Sequence, residues 1–171
     1  MILLTLDTSI KRTGFAVGPV NGEPVLGSFS LPSFRNNQIG RYLAAHEDWL
    51  ISLLVDNSVD DVGIEAPVLP KGKMANITVR RKLWGLIDCT DKVCSQRDLA
   101  CFEVGNKSIK LFITGNGNAQ KIDVIDAVRR LGLNPQNDDE ADAAALWIYS
   151  LAWLDRRDGT ANQQDWLMKR G

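Results

Sequence analysis

The sequence predicts a mixed α/β domain built on a five-stranded sheet, a three-stranded antiparallel meander plus parallel strands, flanked by helices. Three observations predict it. Short apolar runs joined by tight turns fill the first thirty or so residues; segments of helical and of strand periodicity alternate after that; and a carboxylate closes two of the apolar runs, at the strand end where open parallel sheets place their ligands.

Taken in order, Ile2-Leu3-Leu4-Thr5-Leu6 is a buried-type strand that Asp7 ends. Residues 8–13 form a polar turn with two basic residues. Residues 14–20 are the second strand, and Asn21-Gly22 is a strong hairpin signal because both residues tolerate positive φ. Residues 24–31 complete the meander, and Pro32 breaks it. From 39 to 55, Ile39, Leu43, Trp49, Leu50, Leu53 and Leu54 recur at helical spacing with Arg41, Glu47 and Asp48 between them. Residues 62–65 form a strand, Pro67 and Pro70-Lys71-Gly72 mark a loop, and a second long helix is expected from Met74 to about Cys94. Residues 100–104 are the fifth strand, followed by a connection over 105–108. Asn116-Gly117-Asn118 is a turn with Asn118 in an N-cap position; Ile122, Ile125, Val128 and Leu131 then follow helical spacing, closed by Gly132. Asp138-Asp139-Glu140 places acidic residues in the first turn of a last helix running to about Leu154, where they complement its dipole. The domain is thus assigned to residues 1–154. Residues 155–171 are a polar tail in which Trp166-Leu167-Met168 is the one segment suited to docking.

Composition excludes several classes. At 171 residues, 44% hydrophobic and 24% charged, the chain is an ordinary globular one with a single core. No apolar stretch approaches the roughly 20 residues that span a bilayer, and no basic-then-apolar leader opens the sequence, so a cytoplasmic protein with no membrane partner is expected. Cys89, Cys94 and Cys101 lack paired CxxC spacing and His46 is distant in sequence, which argues against four-ligand zinc and for reduced thiols. His46 itself reads as a residue of the polar side of its helix. A formal net charge of −1 means that any nucleic-acid surface is a local patch.

Four carboxylates carry the chemistry. Asp7 and Glu65 each end a strand, where a charge is costly without a cation or hydrogen bonds. Asp139 and Asp142 are three apart on a helix, about 60° around its axis, and so share a face, while Asp138 and Glu140 point elsewhere. The alanines after Asp142 allow that helix to approach the sheet closely. Hard oxygen donors select Mg²⁺, with Mn²⁺ as substitute, and two such ions about 4 Å apart suit in-line hydrolysis of a phosphodiester.

The same residues carry a resemblance. Leu-Asp7-Thr-Ser-Ile-Lys-Arg-Thr-Gly-Phe-Ala-Val resembles the opening of the RuvC-type Holliday junction resolvases, in the ribonuclease H-like superfamily. Ile-Glu65-Ala-Pro resembles their second acidic strand end. Lys110-Leu-Phe-Ile-Thr-Gly-Asn-Gly-Asn-Ala-Gln-Lys121 resembles their lysine–Thr-Gly-x-Gly–lysine segment, and Asp139-Glu-Ala-Asp142 their closing Asp-x-x-Asp helix. The four motifs stand in family order over residues 2 to about 153. The resemblance implies a ribonuclease H-like fold, metal-ligand roles for Asp7, Glu65, Asp139 and Asp142, catalytic lysines at Lys110 and Lys121, and a homodimer joined through the 74–94 helix. That helix carries an apolar stripe of Val79, Leu83, Leu86 and Ile87, destined either for a dimer interface or for the sheet, and Trp84 is the best candidate for an interface anchor.

One departure stands out. Val68 and Leu69 occupy the loop where bacterial housekeeping resolvases carry a junction-stacking aromatic, a divergence more like the phage and prophage versions. A basic cluster, Lys71, Lys73, Arg80, Arg81 and Lys82, instead offers phosphate contacts. Together with the resemblance, which implies four-way or related branched DNA as substrate, the reading is a Mg²⁺-dependent structure-selective endonuclease with two ions per site. The alternatives are a ribonuclease H-fold nuclease on RNA or single strands, and a catalytically silent junction-binding protein.

Overall fold

A computed structural model describes residues 1–33, 38–67 and 77–157, with side chains to residue 154. Its five strands are β1 (Ile2–Asp7), β2 (Arg12–Pro19), β3 (Val25–Ser30), β4 (Asp61–Glu65) and β5 (Ala100–Val104). Its helices are α1 (Ile39–Asn57), α2 (Ile77–Ser95), α3 (Asn106–Thr114), α4 (Lys121–Arg130) and α5 (Asp138–Arg157). The sheet order is β3-β2-β1-β4-β5. The first three strands pair antiparallel and β4 and β5 add parallel to β1, the mixed sheet the sequence predicts.

Strand alternation decides which face each side chain meets. In β1, Leu4 and Leu6 pack with Val62 and Ile64 of β4 against Leu50 and Leu54 of α1 and Ile87 and Val93 of α2. Leu3 faces the other way, into a core with α3, α4 and α5 that includes Trp147, Ile148 and Val128. Thr5, two residues on, donates its hydroxyl to the Ala143 carbonyl of α5 at 2.9 Å. Asp7 continues this odd-numbered series and so belongs to the α5 face, and Glu65 reaches it by the same parity in β4.

Small residues bring α5 onto the sheet. Ala141, Ala143, Ala144 and Ala145 are fully buried, and their small side chains let α5 lie close to its neighbours. Gly14, opposite Asp7 in the ladder, is required there: a Cβ would stand 2.0 Å from the Asp139 carbonyl oxygen. The start of α5 is fixed by Asn137 and Glu140. The Glu140 backbone N–H donates to the Asn137 side chain at 3.0 Å, and the Glu140 carboxylate accepts from the Gln136 N–H and the Asn137 side chain, each at 2.8 Å.

The structure differs from the sequence-based expectations at several points. Residues 106–108, expected in a connection, begin α3. β2 begins at Arg12, two residues before the predicted start, so Arg12 is a strand residue. Asn118 does not cap α4; Gln120 does, in a reciprocal box with Asp123, which places Lys121 first in the helix. His46 is fully buried, with Nε2 3.0 Å from the Thr90 hydroxyl, because α2 packs over the side of α1 that looked polar. Residues 74–76 of the predicted second helix and residues 158–171 of the tail, including Trp166-Leu167-Met168, lie outside the described residues; α5 itself continues to Arg157. Cys89 and Cys94 are buried, Cys101 is half-buried, and all three are free thiols. No helix among the described residues is long and apolar enough to cross a membrane.

Candidate active site

The carboxyl ends of β1 and β4 bring Asp7 and Glu65 side by side, since Leu6 pairs with Ile64 in parallel register and neighbouring strands run about 4.8 Å apart. α5 lays Asp139 and Asp142 over the same end of the sheet. Asp7 lies within electrostatic reach of the other three. Burial, then the charges of Glu65, Asp142 and Asp139, hold the Asp7 carboxyl well above the usual aspartate range. Burial also raises Glu65, opposed by a hydrogen bond from Asn106 Nδ2 to its Oε1 at 2.7 Å and by the charge of Lys110. Asp142 is raised by burial against the pull of Lys121 and Lys110.

Cations rim this cluster. Lys110 of α3 and Lys121 of α4 face it from one side, and Lys121 is ion-paired with Asp138. Arg12 binds Asp139 through Nε and reaches Asp138 with Nη2 at 3.5 Å. Asp138 therefore does not point away, as its helical position predicted; two cations draw it to the rim. Glu140 does turn away, into the cap of α5. Between β4, α3 and α4 a groove of about 860 Å³ is lined by Lys107, Lys110, Lys121, Asn106 and Asn118. On the other side a smaller cavity, about 220 Å³, separates Asp7 and Glu65 from Val79 and Leu83 of α2.

The donor set suits a hard divalent cation. All donors are carboxylate oxygens, burial raises the pKa of three of them, which a bound cation would reverse, and the buried Thr8 hydroxyl beside Asp7 has no hydrogen-bond partner among the described residues. As the side chains stand, no three acidic, imidazole or thiol groups among the described residues are gathered tightly enough to enclose an ion. Asp139 in particular is held by Arg12.

Arg12, Asn106 and Asp138 are the site residues that sequence reasoning missed. Arg12 was visible only as one of two basic residues in a turn, and Asn106 had no signal once α3 was overlooked. Of the predicted basic cluster, Arg80 and Arg81 are exposed on α2, Lys82 is half-buried with Nζ 4.8 Å over the Tyr42 ring, and Lys71 and Lys73 lie outside the described residues, as do Val68 and Leu69. The apolar stripe of α2 divides. Leu86 and Ile87 enter the core, whereas Val79 and Leu83 line the cavity beside Asp7.

No known protein-family model matches the sequence. Solved structures do match the fold. RuvC of Thermus thermophilus in complex with a Holliday junction substrate superposes with a TM-score of 0.74 at 20% identity, covering 95% of this chain and 98% of that one. A second T. thermophilus RuvC structure gives 0.64 at 19% identity over 95% and 99%. The yeast mitochondrial Holliday junction resolvase Ydc2 gives 0.61 at 12% identity over 98% and 80%. The chain has the ribonuclease H-like fold of these resolvases, across nearly its whole length.

Proposed function

We propose that this protein is a divalent-metal-dependent endonuclease that hydrolyses phosphodiester bonds at four-way or related branched DNA junctions, acting as a homodimer. The observation that carries the reading is the meeting of Asp7, Glu65, Asp139 and Asp142, from three separated segments, on one face at one end of the sheet. The likeness to junction resolvases, one of them in complex with a Holliday junction, supports the substrate class. Asp7, Glu65, Asp139 and Asp142 would hold Mg²⁺, two ions per site, with Mn²⁺ able to replace it; the bound metal would supply an activated water and charge stabilisation at the leaving oxygen. Glu65 is oriented by Asn106. Lys121 and Lys110 line the groove and would stabilise negative charge developing on a phosphate bound there. Arg80 and Arg81, exposed on α2, with Lys82, Lys71 and Lys73, would supply phosphate contacts that position the DNA.

The test is a panel of four-way junctions, flaps, nicked duplexes and single strands, incubated with Mg²⁺ or Ca²⁺. Wild type cuts the four-way junction preferentially in Mg²⁺ and binds it without cutting in Ca²⁺; Asp7→Asn binds it with nearly unchanged affinity and does not cut. Preferential cutting of RNA or single strands would replace the substrate, and junction binding with no cutting of any substrate would leave a silent binding protein.

A further inference from the structure

We infer that Arg12 competes with a divalent cation for the Asp139 carboxylate, so that a cation taking Asp139 as a ligand displaces the guanidinium from it. The inference rests on the divalent-metal reading above. Arg12 opens β2, and its guanidinium spans two consecutive carboxylates of α5, Nε on Asp139 and Nη2 on Asp138. The other Asp138 oxygen takes the Lys121 ammonium. Among the described residues Asp7, Glu65 and Asp142 make no ion pair at all. The cluster is thus split: three carboxylates have no ion-pair partner among the described residues, while Asp139 has one.

Two features make this a competition rather than a passing contact. A guanidinium is donor-only and stays charged, so it leaves Asp139 only to a stronger competitor. The backbone of α5 lies directly on Gly14 and is tied to β1 by the Thr5 hydroxyl on the Ala143 carbonyl, so β2 and α5 hold Arg12 and Asp139 at close quarters. Release is therefore a rotation of the Arg12 and Asp139 side chains. Arg12 is a positioning residue on this reading. It pairs with two carboxylates of the first turn of α5, and it weakens binding of a cation at Asp139 by the same interaction.

The test uses Mn²⁺ alone, titrated against the full chain while free Mn²⁺ is followed by electron paramagnetic resonance. Arg12→Gln is expected to bind Mn²⁺ about fivefold more tightly than wild type, the factor at stake when a partly exposed ion pair no longer has to be broken. Its metal-free melting temperature falls, and the rise produced by saturating Mn²⁺ grows. Lys11→Gln removes the same charge from the neighbouring, exposed side chain and leaves the affinity within about twofold, since an exposed charge is screened by solvent and salt. Should Arg12→Gln not fold, Arg12→Lys keeps the charge without the fork and falls between the two. Equal or weaker Mn²⁺ binding by the Arg12 variant, or equal tightening by Lys11→Gln, overturns the inference. Failure of the metal reading itself looks different: Mn²⁺ then binds wild type and Asp7→Asn alike, or binds neither, and the inference falls with it.

Discussion

Asp7 is held above the ordinary aspartate value of 3.8 by burial and by three carboxylate neighbours, so the folded protein binds its proton more tightly than the unfolded chain does. Stability from this group is therefore lost as pH rises above 3.8 toward the raised folded value, and the metal-free protein is weakened at neutral pH. Asp7→Asn should raise the metal-free melting temperature at pH 7 by a few degrees, an advantage that shrinks as pH falls toward 4 and that Mg²⁺ cancels by stabilising only wild type. Differential scanning with and without Mg²⁺ checks it; a destabilised Asp7→Asn at pH 7 sinks the idea. His46 has the opposite sign. Its burial pushes the imidazole from 6.5 down to about 4, with Glu47 opposing weakly. The stability it contributes is complete above pH 6.5 and is lost as pH falls toward 4, by on the order of 3 kcal/mol. Urea unfolding at pH 7.5 and pH 4.5 should show that difference shrinking in His46→Leu; an unchanged acid loss would place its origin elsewhere.

At the scale of elements, α4 presents the sharpest mechanistic contrast. Lys121 stands first in the helix, the wrong end of the dipole for a cation by about 0.3–1 kcal/mol where exposed, and its carboxylate partners offset that cost. Lys121→Ala should leave the fold intact and cut turnover by orders of magnitude at unchanged junction affinity, whereas Arg80→Ala with Arg81→Ala should weaken binding in a salt-dependent way. Single-turnover rates and binding isotherms at two salt concentrations separate the two; equal, small, salt-sensitive effects would move Lys121 out of the site. The strands that position the carboxylates were legible because each is a short apolar run ended by an acid, and parity then assigns the face. α3 was not legible. Its Ile109-Lys110-Leu111-Phe112-Ile113-Thr114 stretch is short and apolar, and periodicity over so few residues does not separate helix from strand. The cap of α4 was misplaced because glutamine is a rare N-cap, and here it works only with Asp123. His46 looked solvated because no pattern in α1 alone reveals that α2 covers that side. The ion pairs of Arg12 and Asp138 needed the tertiary contact between β2 and α5 before either could be seen.

At the scale of the whole molecule, one site is not enough for the proposed reaction. Resolving a four-way junction requires two symmetric cuts, and an isologous dimer supplies two sites related by a two-fold axis. On the proposed dimer, α2 is the element we expect at that axis. Its N-terminal half lies beside the cavity next to Asp7, and Ile77 and Trp84, 73% and 42% exposed, fall seven residues apart on one helical face with Arg80 and Arg81 between them. A face that mixes exposed apolar and basic groups suits a seam with DNA running along its edge: the apolar side chains bury against the partner and the arginines meet phosphate. Trp84→Glu should then dissociate the dimer, because a carboxylate buried unpaired in an interface is strongly unfavourable. Sedimentation at micromolar concentration should show twice the chain mass for wild type and one chain for the variant. On a supercoiled plasmid with an extruded cruciform, coupled cuts within one binding event give linear product. The variant should give nicked circles instead, since each monomer keeps its own carboxylates but cuts one strand per encounter. A variant that stays dimeric yet loses junction affinity would assign this face of α2 to DNA and move the two-fold axis elsewhere. Wild type that sediments as one chain with and without junction would remove the dimer from the mechanism.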